Sequence, residues 1–523
     1  MEVVMKALPA RPHLDHLKKQ AKLLLDGVRR KDPGALERIH LALPAAASLE
    51  HEAIAQMHLR LHDAQSCVAR EYGFASWTLL KEYVTLAMLS DDALERRRQW
   101  QRWAFGYGYQ VAKPRLAARL LQDHPDLLAG DAVLACAIGD IATVSVAMAG
   151  DSNWVRHARA DNAMAPLVCA TFSGLVELPD YAPAIRACAQ LLLKAGADPN
   201  VRWNDPQLPD DPLSALYGAA GRNRDIGITR MLLEAGADPD DNESLYHATE
   251  AVDGTLVQLL LAAGARVTGT NALFRALDFE RPDTLRLLLA HGGDPNEPGP
   301  GGAPLLHAIR RRRSLEIIDI LLAAGADPSA RGPRGISAYR RAYCLGLDEV
   351  AQRLLQAGAV QDHLPDDAFL NACARADGAA VQAMLRAEPG RVGRLSPGAL
   401  RMLPDMAAAG CDDAVRVMVE AGWPITARGG DIDGSALNQA VFRGNASLAA
   451  FLLAHGAHYD ERHGYNDNVY GTLSFASIAE TTPGGDWLAC AKALIDAGSP
   501  IPEDRYDFPE DIAAYFQALR TSD

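Results

Sequence analysis

Apolar positions along this chain come in short helical runs, each closed by a glycine and followed by a polar turn. In Ser314-Leu-Glu-Ile-Ile-Asp-Ile-Leu-Leu-Ala-Ala-Gly-Ala-Asp-Pro328, residues Ile317, Ile318, Leu321 and Leu322 fall on one face of a helix. Gly325 stands where a helix ends in the left-handed conformation, which glycine reaches without steric cost, and Asp327-Pro328 turns the chain. The phrase recurs as LLLKAGADPN at 191–200, MLLEAGADPD at 231–240, LLLAAGARVT at 259–268 and LLLAHGGDPN at 287–296. More diverged copies lie at 353–362, 417–426, 451–460 and 493–502, with a degenerate one, AMLRAEPGRV, at 383–392. Gly292, Gly325 and Gly358 stand 33 residues apart. A unit of that size has too little apolar surface to fold alone, so the pattern predicts helix pairs stacked on their neighbours.

The first half of each unit agrees. Ala165-Pro166-Leu167, Ser214-Ala215-Leu216, Ala303-Pro304-Leu305 and Ser435-Ala436-Leu437 open a first helix, and Gly174, Gly346, Gly410 and Gly444 mark the turn to the second. Alanines such as Ala219, Ala276, Ala308 and Ala440 let the paired helices approach closely. With the glycine stops, these openings resemble the T-P-L-H-x-A pattern of ankyrin repeats, although no copy carries the full T-P-L-H, and the chain resembles the bacterial ankyrin-repeat proteins over roughly 127–502. The resemblance implies an all-α ankyrin-repeat solenoid of about eleven repeats, with hairpin fingers between units and a partner held on the concave, finger-bearing side. It does not name that partner, since such arrays bind many unrelated targets.

The flanks read differently. Residues 1–90 form a helical module, its first helix placing Leu14, Leu17, Ala21 and Leu24 on one face, with a break at Pro33-Gly34, a second helix over 35–43, a third over 59–72, and Ser76 capping a fourth. LDHLKKQAKLLL and AREYGFASWTLLK are similar to the helical segment that precedes the repeats in bacterial ankyrin proteins. Residues 91–126 form a basic, aromatic connector and degenerate capping repeat, in which Trp100, Trp103 and Tyr107 at i, i+3 and i+7 predict one buried helix face. Within the array, 175–183 reads as an insertion on the outer face, and a helix over 509–519, within 503–523, closes the stack.

Composition sharpens the functional class. Hydrophobic content of 49% with only 6% aromatic suits thin Ala/Leu layers. Of 52 Lys+Arg and 66 Asp+Glu, 19 and 13 lie in 1–120, which leaves the remainder at −20. An acidic array argues against a phosphate backbone as ligand and favours a protein partner with a basic surface. The eight cysteines form no C-x-x-C pair and read as buried thiols of a reducing compartment. With no apolar N-terminal run and the most apolar stretch, 127–150, broken by Asp131 and Asp140, the expected location is the cytoplasm, with no membrane contact.

Candidate chemistry is sparse. His58 and His62 lie at i, i+4 with His51 nearby, but there is no H-E-x-x-H. The finger at 457–471 holds His458, Asp460, Glu461, His463 and Asp467, which keeps open an alternative: an enzyme or enzyme regulator with a metal or polar site there. Asp431-Ile-Asp-Gly434 lacks the later ligands of a calcium loop and reads as a hairpin turn. Arg310-Arg-Arg-Arg313 reads as a solvated turn or a patch for an acidic partner. No catalytic, cofactor or metal residue is assigned. The primary reading is a non-enzymatic interaction module or scaffold. Its long fingers at 197–213, 388–401, 423–435 and 457–471 carry the binding bets, because loops on a rigid frame carry recognition. Trp203, Trp423, Arg428, Tyr459, Asp460, Tyr465 and Tyr470 are the partner-binding candidates, since Trp, Tyr and Arg dominate interface energetics. Trp423, in place of the usual alanine, equally fits packing between fingers.

Overall fold

The computed structural model describes residues 6–9, 12–57, 59–108, 110–479, 481–503 and 505–520, with only the backbone at Leu208, Pro209, Arg334 and Glu510. His58 therefore lies outside the described residues. The chain divides into two compact units, Met1–Ala265 and Arg266–Asp523.

The first unit opens with helices Leu14–Arg29, Pro33–Ala42, His51–Gln56, Leu61–Glu71 and Trp77–Ala87. Leu17, Ala21 and Leu24 are buried with Ile39, Ile54, Cys67, Val68 and Leu80 in one core. Pro33 does not break the chain but starts the second helix, because its missing N–H costs nothing in a first turn and the Asp32 carboxylate accepts the Ala35 N–H. Ser76 caps the last of these helices, as its position predicts, accepting the Leu79 N–H. Glu71, nearly buried, is satisfied by Lys6 and Arg38 at 2.6 and 2.7 Å.

The connector follows as helices Ala93–Phe105 and Pro114–Asp123. Trp100 and Trp103 are buried as their spacing predicts. Tyr107 is not on their helix: the helix ends at Phe105, Gly106 takes φ 55°, and residues 106–108 and 110–112 lie outside any helix or strand. The insertion is also placed differently from expectation. Leu175 and Val176 are buried, and a Cβ at Gly174 would lie 2.8 Å from Ala112 Cβ and 3.2 Å from the Ala104 carbonyl oxygen, so the segment packs beneath the connector.

Paired helices then repeat. In the second unit the first helices Ala272–Asp278, Pro304–Arg310, Ala338–Cys344 and Asp367–Ala374 pack in succession, as do Met402–Ala409, Ala436–Phe442 and Val469–Ala479. The second helices form their own layer. Ile317, Ile318 and Leu321 are fully buried, and Gly325 takes φ 93° at the helix stop. The asparagine of G-A-D-P-N ties repeats together. Asn200 Nδ2 donates to the Gly236 carbonyl and its Oδ1 accepts the Asp238 N–H, and Asn296 does the same with Gly325 and Asp327. All eight cysteines are free and six are buried. The C-terminal helix Glu510–Arg520 buries Ile512 and Phe516 against the last repeats.

Candidate partner-docking surface

The four long fingers are built in different ways. Residues 202–214 form an antiparallel hairpin, Arg202–Asp205 with Leu208–Ser214. The segment 388–401 carries two short helical turns, Val392–Arg394 and Pro397–Leu400. The finger at 423–435 closes through a Gly429–Gly434 bridge, the hairpin turn that Asp431-Ile-Asp-Gly434 predicts. The finger at 457–471 is an irregular loop, pinned where His463 N–H donates to the Asp467 carbonyl at 3.0 Å and Val469 N–H to the Tyr459 carbonyl at 3.1 Å.

Three of the aromatic candidates are structural. Trp203 is buried: its indole N–H donates to the Asn162 carbonyl at 3.0 Å, and its ring packs against Tyr107 and Phe172. It holds the connector loop against the hairpin, where Gly108 N–H donates to Asp205 Oδ2 at 2.7 Å and Arg222 donates to the carbonyls of Gly106 and Gln110. Trp423 is also buried, stacked on Phe369 with ring planes 11° apart and donating to the Leu400 carbonyl. Tyr470 lies beneath its finger, donating its hydroxyl to the Pro500 carbonyl at 2.7 Å and packing on Phe516, and burial pushes its hydroxyl well above the ordinary value. A finger position does not make a ring accessible when the neighbouring repeats supply large apolar partners.

The remaining candidates lie at the surface. Tyr459 is half-buried between His458 and Tyr470. Arg428 is exposed and pairs with Asp433 at 3.1 Å, and Asp460 is exposed. Tyr465 is 79% exposed. The two fingers join where Gly464 N–H donates to the Ile432 carbonyl at 2.8 Å, and Asn438, on the helix that follows the first finger, donates its Nδ2 to the Glu461 carbonyl at 3.0 Å. Tyr465 is thus displayed from a loop whose neighbours are fixed.

The charged groups drawn together in the sequence are spent separately. Asp467 accepts from the Tyr506 hydroxyl at 2.6 Å and pairs with Arg505, which outweigh partial burial and hold its carboxyl below the usual value. Glu461 accepts the His458 N–H, and burial pushes its carboxyl up. Burial likewise lowers the His463 imidazole. Among the described residues, no group of three or more His, Cys, Asp or Glu side chains is placed to hold a metal ion.

Two features escape the sequence reading. Phe475 and Ile478, on the first helix of the last repeat, are 60% and 56% exposed, and Phe475 stacks on Phe442 of the preceding first helix. The run 310–313 is not a free basic turn. Arg310 and Arg311 both reach Asp431, Arg311 also pairs with Asp278, Arg312 donates to the Leu345 carbonyl, and Arg313 pairs with Glu280.

Residues 245–332 match the family model described as ankyrin repeats (3 copies). The stacked helix pairs are an all-α ankyrin-repeat fold. Among solved structures, the human ASB11 ankyrin repeat domain is 22% identical, covering 45% of this chain and 100% of that one, with a TM-score of 0.34. The ankyrin repeat domain of Bcl-3 is 26% identical, with 38% and 89% covered and a TM-score of 0.32. An ankyrin repeat domain from Acinetobacter baumannii AYE is 26% identical, with 44% and 98% covered and a TM-score of 0.26. No curated protein matches the chain. No helix among the described residues is long and apolar enough to cross a membrane.

Proposed function

We propose that this chain is a protein–protein interaction module whose docking surface lies in the second unit, on the joined fingers 423–435 and 457–471. The ankyrin repeats support the interaction class. The observation that carries the placement is Tyr465, 79% exposed on a loop fixed by Gly464–Ile432 and His463–Asp467 hydrogen bonds. A rigidly displayed tyrosine offers large contact area at small entropic cost, and the exposed Asp460 on its finger and Arg428 on the joined one supply polar groups. Phe475 and Ile478 add exposed apolar area on the first-helix face. The chain's net charge of −14 and the exposed Asp460 favour a partner with basic groups, whose binding weakens with added salt.

The test is photo-crosslinking in the native cell with benzoylphenylalanine in place of Tyr465. One discrete protein adduct is expected from this position and none from the exposed control Val252. Absence of an adduct from position 465, with the chain intact, refutes the placement.

A further inference from the structure

The finger turn 429–434 is folded inward rather than left in solvent. Gly430 N–H donates to Asp405 Oδ1 at 2.6 Å, and Gln439 Nε2 donates to the Gly429 carbonyl at 2.9 Å. Both glycines are required for this approach. A Cβ at Gly429 would lie 2.8 Å from Asp405 Oδ1 and 3.0 Å from the Arg401 carbonyl oxygen, and one at Gly430 would lie 2.3 Å from Gln439 Nε2. Arg401 holds the far side of the turn through Asp433 at 3.0 Å.

The turn thereby delivers one carboxylate across about four repeats of sequence. Asp431 Oδ1 lies 2.8 Å from Arg310 Nη1 and its Oδ2 lies 2.5 Å from Arg311 Nη1. Each oxygen takes one guanidinium, the arrangement by which a bound acidic ligand would be gripped. Burial alone would raise the Asp431 carboxyl, but the two arginines outweigh it and hold it below the usual value. Its side chain is nevertheless 53% exposed and Arg310 is 40% exposed, while Arg311, at 28%, also keeps Asp278 at 2.7 Å. Ion pairs at such exposure are held weakly and exchange with outside ligands at little cost.

We infer that Arg310 and Arg311 form a receptor for a carboxylate-bearing segment of a protein partner, and that Asp431 is its built-in placeholder, displaced when that segment binds. Arginine suits this role because its planar guanidinium remains charged and pairs with carboxylates in fixed geometry. This receptor does not depend on the Tyr465 surface, and the two are separable by experiment.

The test uses the full chain and a fluorescein-labelled hexaglutamate peptide, with hexaglutamine as control. Asp431→Asn removes the competing charge and is expected to tighten hexaglutamate binding about 3- to 10-fold, the range set by removing a weak internal competitor. Arg310→Ala/Arg311→Ala, added to Asp431→Asn, is expected to abolish binding with an unchanged thermal unfolding midpoint. Tyr465→Ala should leave hexaglutamate binding as it is. Equal affinity of wild type and Asp431→Asn overturns the placeholder, and undiminished binding by the arginine double variant, or no binding by Asp431→Asn, overturns the receptor. Should the unfolding midpoint fall in the alanine variant, Arg310→Gln/Arg311→Gln repeats the measurement with the side-chain stems kept.

Discussion

Asn296 holds Gly325 of the following repeat through its amide: Nδ2 donates to the glycine carbonyl at 2.9 Å, while Oδ1 accepts the Asp327 N–H at 2.7 Å. One side chain thus satisfies a donor and an acceptor at the next helix stop. Asn296→Ala should destabilise the second unit by about 1–2 kcal/mol, the net worth of two partly exposed hydrogen bonds. Asn296→Asp should cost at least as much, because a carboxylate oxygen would face the Gly325 carbonyl. Urea unfolding of the three proteins checks both.

Two left-handed glycines separate backbone strain from crowding. Gly325 has φ 93° and open space around an added Cβ, so Gly325→Ala should cost only the left-handed penalty of about 1–2 kcal/mol. Gly444 has φ 65°, and an added Cβ would lie 2.6 Å from Gly485 Cα and 2.8 Å from Asp486 N. Those are backbone atoms that cannot swing aside, so Gly444→Ala should cost clearly more. Leu321→Ala, at a fully buried position, should cost about 2–5 kcal/mol. Thermal unfolding of the three variants orders them.

His247 gives the first unit a pH dependence. Burial works to lower its imidazole, but Glu243 at 3.3 Å and Glu250 at 3.0 Å outweigh burial and raise it from 6.5 to about 9. A raised folded value means the stabilisation is fully present below pH 6.5 and is lost as pH rises through about 9. The loss should be at most about 3 kcal/mol, the equivalent of the shift. Denaturant unfolding at several pH values should show this slope in wild type and a flatter one in His247→Gln.

The candidate aromatics should divide by burial. Tyr465→Ala should leave the unfolding midpoint unchanged while weakening partner binding by about 1–3 kcal/mol. Trp423→Ala should lower stability by about 3–5 kcal/mol, because it empties the space against Phe369. A Trp423→Ala protein as stable as wild type would show that the stacked pair carries no packing energy.

The helix pairs were legible because glycine stops and apolar faces are local signals: Gly325, Ile318 and Leu321 sit where their spacing places them. Arg428, Asp460 and Tyr465 are at the surface as read, with Tyr459 half-covered. Trp203 and Tyr470 were not legible as buried, since their covers come from Tyr107 and Phe172 and from Phe516, and packing, supplied by Phe369, was one of the two readings open for Trp423. Burial of a finger residue is a property of what distant repeats bring to it. Phe475 and Ile478 fail in the opposite sense: the helix Val469–Ala479 is apolar on several faces, and only packing shows which face is left open. The pairing of Asp431 with Arg310 and Arg311 has no local signature at all.

The connector loop that carries Gly106 and Gly108 also sets an order of synthesis. Stacked repeats can dock one after another as they leave the ribosome, since each needs only the one before it. This loop cannot. Its Gly108 amide waits for Asp205, 97 residues later, and its Gly106 carbonyl waits for Arg222, 116 residues later. Such long-range closures are slow steps in a fold otherwise made of near-neighbour contacts. A nascent chain halted before residue 202 would lack the Trp203 ring that packs on Tyr107, and that is the stage at which this protein would most need a chaperone.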